Sequence, residues 1–166
     1  MMEKLFFGLV GLALAPFLGG FIAGLDRRIT ARMQSRFGPP IAQPFYDVLK
    51  LLGKSANSVN AWLVLCSYLT LMASALAVFL FFFRADLLLN FFVMTIGAVF
   101  QVMGALSVNS PYSQVGAQRE LIQMLAYEPL VIIVFVGIAM KTGSFSIESI
   151  YAMKTPLLFT LPILFL

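Results

Sequence analysis

Glu128 and the arginines at 28, 32 and 36 are the residues in this chain whose types and spacing best suit chemistry. Glu128 stands well inside an apolar run, beside Pro129. An ionisable group at membrane depth costs at least a few kcal/mol, and such groups mark ion or proton paths or pair with one another. Glu120 lies eight residues earlier, about 80° away around a helix of 3.6 residues per turn. Gln123 and Tyr127 fall near the same side. Together the four make a polar stripe able to hold or pass a proton or small cation. A buried carboxylate satisfied by an arginine or by backbone groups is the structural alternative. Arg28, Arg32 and Arg36 recur every fourth residue, so on a helix they form a basic ridge. Such a ridge fits lipid phosphates or the carboxylates of a docked protein.

These residues need elements to hold them. The chain has 166 residues, 61% hydrophobic and 11% charged, with mean hydropathy +0.97. Soluble domains are roughly 45–50% apolar and about 25% charged, so an integral membrane protein is expected. Histidine is absent and Cys66 is the single cysteine. A heme, zinc or iron–sulfur site within the chain is therefore not expected, nor an internal disulfide, nor catalysis by Ser–His–Asp or Cys–His. The net charge of +4 reads as loops facing anionic lipid or a protein partner rather than nucleic acid.

Hydropathy predicts an all-α, polytopic helix bundle of four full spans and the start of a fifth. The spans are residues 5–25, 61–83, 87–108 and 119–140. Pro156 to Leu166 is too short to cross, so residues 1–166 read as one membrane domain from the N-terminal part of a longer chain. Ala13-Leu14-Ala15 has the form of a signal-peptide cleavage site. The apolar run continues ten residues further and arginines follow it, so the first span is read as retained. Gly11, Ala15, Gly19 and Ala23 form a small-residue stripe suited to close helix packing. Residues 26–60 are expected as a polar loop broken at Gly38-Pro39-Pro40. Within it, Phe45, Val48, Leu49 and Leu52 predict an amphipathic helix over about 44–54, lying in the membrane surface, with Pro44 in its first turn. Asp47 and Lys50 are expected as a pair on its polar side. Asn109–Gln118 is expected as a loop, with Pro111 and Gly116 as breakers, and Lys141–Thr155 as another. With 26–60 cytoplasmic, that side carries seven Lys/Arg, counting Arg119, against four on the other: Lys4, Arg84, Lys141 and Lys154. The N-terminus is then outside.

Two stretches resemble a known family. Asp26-Arg27-Arg28, Arg32 through Pro39, and Gln43-Pro44-Phe45-Tyr46-Asp47-Val48-Leu49-Lys50 resemble the first cytoplasmic loop of the quinone-channel membrane subunit of the complex I family. Gly116-Ala117-Gln118-Arg119 through Ala126-Tyr127-Glu128 resembles that subunit's G-A-x-R…S-Y-E helix. Asp26 stands for the usual Glu, Arg28 for Lys and Pro40 for Asn. These variants, with Ser110–Gln114 and the extra acid Glu120, look more like membrane-bound energy-converting hydrogenases of the Ech type and their formate-hydrogenlyase relatives. The resemblance implies a non-catalytic subunit of an oxidoreductase in a prokaryotic cell membrane. It anchors a peripheral nickel–iron hydrogenase module fed by ferredoxin and couples that reaction to proton or sodium movement.

By the same resemblance, Arg27, Arg28, Arg32, Arg36, Gly38, Pro39, Pro44, Asp47, Lys50 and Arg119 face the peripheral redox subunits. Glu128, Glu120, Gln123, Tyr127 and Asp26 form the coupling path. The implied partners are the hydrogenase large and small subunits, a ferredoxin-type iron–sulfur subunit and antiporter-like membrane subunits. The nickel–iron centre and iron–sulfur clusters would sit in those partners, with no cofactor in this chain. A quinone-channel subunit of a respiratory complex I is the second reading. A secondary transporter is the third; it should show a second half of related hydropathy.

Overall fold

The computed structural model describes residues 2–54 and 60–153. Helices run over Met2–Met33 (α1), Gln43–Leu52 (α2), Ala61–Phe82 (α3), Leu87–Leu106 (α4), Pro111–Thr142 (α5) and Ile147–Tyr151 (α6). The four long ones, α1, α3, α4 and α5, are long and apolar enough to cross a membrane. Pro156–Leu166, expected to begin a fifth span, lies outside the described residues, as does Lys154.

Two span boundaries need correction. The polar chain around Asp26, Arg27, Arg28 and Arg32 is not loop, as expected, because α1 carries it as helix to Met33. Leu5–Leu25 covers about 30 Å, and Asp26–Met33 adds about 12 Å of helix beyond the apolar run. Pro111 and Gly116, expected as breakers, lie inside α5, which begins at Pro111. Ser110 takes the extended backbone of an N-cap, and Pro111 occupies the first turn, where its missing N–H has no helical partner to lose. In both cases polarity ends the apolar stretch without ending the helix.

Side-chain and backbone caps fix the other ends. Asn60 accepts from the Trp62 N–H at 3.0 Å and donates to the Ser107 carbonyl at 3.1 Å, tying the start of α3 to the end of α4. The turn between α3 and α4 passes through Arg84 at φ 61°. α5 stops at Gly143, whose φ of 77° suits a residue without Cβ. The short helix α6 is not foreseen by the hydropathy pattern. It sits within the expected 141–155 loop and is bound to the α3–α4 turn. Leu87 N–H donates to Phe145 O at 2.9 Å, and Ile147 N–H donates to Ala85 O at 3.2 Å.

α3 and α4 form the most extensive helix pair; α1 packs on α3, and α5 on α4. Small residues make these approaches close. A Cβ at Gly104 would lie 3.1 Å from Cys66, the most deeply buried side chain among the described residues. Gly8 and Gly11 meet Phe79 and Phe82 of α3. The expected small-residue stripe is therefore half correct. Gly11 packs on α3, but Gly19 faces open space, and Gly20 and Gly24 receive α2 and its approach instead. Val102, Ala117 and Met124 form the small core between α4 and α5. Most large apolar side chains point outward, as a bilayer-facing bundle requires.

Candidate functional site

α2 fixes a level along α1. Phe45 stacks on Phe17 with ring centroids 6.2 Å apart, and the Ile41 carbonyl lies where a side chain at Gly24 would go. The apolar side of α2 thus meets α1 over residues 16–24. Pro16, Phe17, Gly20, Pro44, Phe45, Val48 and Leu49 line an almost wholly apolar groove of about 580 Å³ between the two helices. Pro44 belongs to this groove. Gly38 and Pro39, with which the sequence groups it, lie elsewhere.

Beyond that level α1 carries the arginines. Arg28 and Arg32 stand four and eight residues past Gly24, about 6 and 12 Å further along the axis. The helix ends with Ser35 at φ 55° and a 3.0 Å bond from Arg36 N–H to Ala31 O. The chain then folds back so closely that a Cβ at Gly38 would lie 2.9 Å from Ala31 Cβ. Arg28, Arg32, Ser35, Arg36, Phe37 and Gly38 enclose a cup of about 400 Å³. A neighbouring cleft of about 390 Å³ adds Asp26, Arg27 and Pro39. Asp26 stands here, at the arginine end.

Arg27 alone of the four arginines has an acidic partner among the described residues. Its Nη1 lies 3.3 Å from Asp47 Oδ2, and Gln43 Nε2 donates to Asp47 Oδ1 at 3.0 Å. The expected pairing of Asp47 with Lys50 is not formed; Asp47 turns instead to α1, because α2 docks with that face toward Arg27. Lys50 is exposed. Arg119, also exposed, lies on the early turns of α5, which begin at the same end of the bundle.

On α5, Met124 is buried against α4, and the two acids flank it, each four residues away. Glu120 lines a cleft of about 330 Å³ with Gln101, Ala105 and Ser113. Glu128 has no hydrogen bond or ion pair among the described residues. Gln123 and Tyr127 are exposed. The four do not gather on one covered face within this chain. Pro129 has no N–H to give the carbonyl of Leu125, so a backbone acceptor is freed one turn from Glu128.

The opposite end of the bundle holds residues that sequence reasoning does not single out. Lys4 of α1 pairs with Glu148 of α6, and Arg84 lies over the Tyr151 ring at 5.0 Å. The Lys4 ammonium, as hydrogen-bond donor and as charge, holds the Glu148 carboxyl below the usual carboxylate range. Asn90, 8% exposed, and Gln101 are likewise missed. A lone amide within an otherwise apolar span is the available signal for each.

The family model described as NADH dehydrogenase matches residues 6–166. The chain is 31% identical to Hydrogenase-4 component C of Escherichia coli, covering 87% of this chain and 50% of that protein. It is 34% identical to a subunit of the NADH-quinone oxidoreductase of Rubrobacter xylanophilus, covering 75% and 44%. The fold superposes with a TM-score of 0.83 on a chain of the membrane-bound sulfane sulfur reductase, an archaeal respiratory membrane complex. That alignment has 30% identity and covers 98% of this chain and 58% of the other. The chain spans about half the length of the curated relatives it matches.

Proposed function

This chain belongs to the NADH dehydrogenase family, and we propose that it serves an energy-converting, ferredoxin-linked nickel–iron hydrogenase as the membrane subunit that anchors its peripheral module. The observation that carries the proposal is the cup of Arg28, Arg32 and Arg36. The likeness to Hydrogenase-4 component C supports the hydrogenase assignment. Arg28, Arg32 and Arg36 all line one open cavity, without acidic partners among the described residues. They stand beyond the level of the surface helix, where a soluble protein can reach them and the hydrocarbon does not. Each planar fork can hold a carboxylate in a fixed orientation. The module docked there carries the nickel–iron centre and the iron–sulfur clusters. The arginine end is then cytoplasmic, the N-terminus outside, and the membrane the prokaryotic cell membrane.

Glu128 and Glu120 are the coupling groups in this reading, on the route toward antiporter-like subunits; Gln123 and Tyr127 stand on the same helix, and Asp26 stands apart at the arginine end of α1. A charge change at Glu128 acts on its neighbours through a low dielectric, where electrostatic effects are large. Electron transfer in the docked module biases that charge, and the antiporter-like subunits move the proton or sodium ion. Purification of the intact complex tests the assignment. Nickel in the preparation and ferredoxin-dependent hydrogen evolution are the expected results.

The apolar groove between α1 and α2 favours the second reading, a quinone enzyme. Its lining offers a lipid-soluble ring almost no polar surface and an aromatic pair, Phe17 and Phe45. A stoichiometric quinone in the purified complex, with nickel absent, would replace the hydrogenase assignment with this one.

A further inference from the structure

A cavity of about 430 Å³ lies between α1, α3 and α4, and one buried acceptor in its wall has no donor. Asn90, on the first turn of α4, is 8% exposed, and its Oδ1 has no hydrogen-bond partner among the described residues. Thr70 and Ser74 of α3 and Gln101 of α4 share the lining. The Thr70 hydroxyl donates to the Cys66 carbonyl at 2.9 Å, and the Ser74 hydroxyl donates to the Leu71 carbonyl at 2.9 Å. With those protons committed, both oxygens can still accept. The cavity therefore offers one buried acceptor that needs a donor, Asn90 Oδ1, and two hydroxyl oxygens that can accept. An acyl chain has none to give, and an unsatisfied buried carbonyl is costly. Water supplies donors. The rest of the lining, Ala15, Ala77, Val78, Phe81, Phe82 and Met94 among it, is apolar, so water is held only along the strip of Asn90, Ser74, Thr70 and Gln101; at about 30 Å³ per molecule there is room for a single file of several.

The wet space has a continuation. Asn90 and Gln101 are eleven residues apart, so they lie on one face of α4, separated by about 16 Å. Gln101 also lines the next cleft, shared by Ser113 and Glu120 of α5. One amide thus borders both spaces, with the neutral cavity on one side and a carboxylate on the other.

We propose that the cavity between α1, α3 and α4 binds a file of water on Asn90, Thr70 and Ser74, and that Gln101 joins this file to Glu120. The amides and hydroxyls orient the water and do not titrate. A hydronium ion at the Gln101 end gives its proton to the Glu120 carboxylate and leaves as water; the reverse step returns the proton. The file supplies the coupling reading above with a route, and it rests on the helices spanning a bilayer rather than on the identity of the redox reaction.

Thiol accessibility in the intact complex, held in sealed vesicles, tests it. Cys66→Ala removes the native thiol, and single cysteines are placed as Ser74→Cys, Gln101→Cys and, for a lipid-facing control, Met72→Cys, where the native side chain is 66% exposed. The probe is a small cationic methanethiosulfonate, which reacts with thiolate and needs water to reach it. Ser74→Cys and Gln101→Cys should react at least ten-fold faster than Met72→Cys. Adding Asn90→Leu should slow the reaction at Gln101→Cys several-fold, and Asn90→Ser, which keeps an acceptor oxygen, should restore it. Equal rates at all three cysteines would overturn the proposal, and that is the result if a lipid tail or a partner helix fills the groove. Rapid labelling in a complex without nickel would leave the water file standing and remove the hydrogenase assignment. A nickel-containing hydrogenase with an unlabelled groove would do the reverse.

Discussion

The two ends of the bundle use their charges in opposite ways. At the end holding the α3–α4 turn, Lys4 meets Glu148, Arg84 lies over Tyr151, and backbone bonds stitch α6 to the turn. At the other end one pair, Arg27 with Asp47, secures α2, while Arg28, Arg32 and Arg36 surround a cavity without acids of their own. At the first end these charges find partners within the chain, although Asp86 and Lys141 there have no ion pair among the described residues. At the second, three arginines have no acidic partner among the described residues. In the proposed docking, a partner supplies the counter-charge of these arginines.

The most direct way to break this contrast is to remove the unpaired charges. Arg32→Ala with Arg36→Ala should release the peripheral module during purification, leaving the membrane subunits assembled. If the docked module pairs these arginines with buried carboxylates, as proposed, each lost arginine would strand one at roughly 3–5 kcal/mol. Gel filtration with nickel analysis of the membrane fraction reads the loss, and retention of the module would refute the docking role.

Glu128, within the apolar length of α5, likewise has no ion pair among the described residues. Glu128→Gln keeps shape and hydrogen bonding but removes the titratable charge. Assembly and proton reduction with an artificial donor should persist. Ion translocation with ferredoxin should fall at least ten-fold, measured in sealed vesicles. Unchanged translocation would leave a structural amide or carboxyl as the whole role.

A smaller effect is expected from the brace that sets the cup's height. Gly24→Leu drives a side chain into the Ile41 carbonyl. Overpacking of this kind costs about 1–3 kcal/mol. Thermal unfolding of the complex should shift down, and protease should cut sooner within 34–42.

Single-pair variants should matter least. Arg27→Ala removes an exposed pair worth up to ~1 kcal/mol. Glu148→Gln should likewise change stability little, because the side chains of both pairs face solvent. The sign of its pH dependence is definite. The folded carboxyl titrates lower than the unfolded one, so the pair contributes fully above about pH 4.5 and is lost as pH falls through the lowered value. A turn end that loosened on raising the pH would contradict it.

Much of this architecture is visible from hydropathy alone, because a span must be long and apolar. What hydropathy misses is helix that continues in water. Asp26–Met33 and Pro111–Gln118 are polar, yet both extend helices already nucleated by apolar neighbours, and extension costs far less than nucleation. The α2 helix is legible because its four apolar residues share a face. Its partner is not: Asp47 meets Arg27 across twenty residues, and only docking chooses between Arg27 and Lys50. α6 is five residues long and owes its place to backbone bonds with residues sixty positions away. Of the candidate site, the arginine spacing predicts a ridge, but the cup depends on Gly38 folding back. The acids on α5 are legible as polar residues on one helix; that Met124 separates them depends on where α4 packs.

α1 is also a lever. Its 32 residues form a rod about 46 Å long, pinned near one tip by Lys4 and carrying the cup at the other. A tilt of about 5° about the pinned tip swings the far tip by about 4 Å. The rod has one soft joint, at Pro16, where a helical hydrogen bond is missing, and α2 is clamped beside that joint as a splint. A load on the cup would thereby reach the α1–α3 seam, where Gly8 and Gly11 meet Phe79 and Phe82.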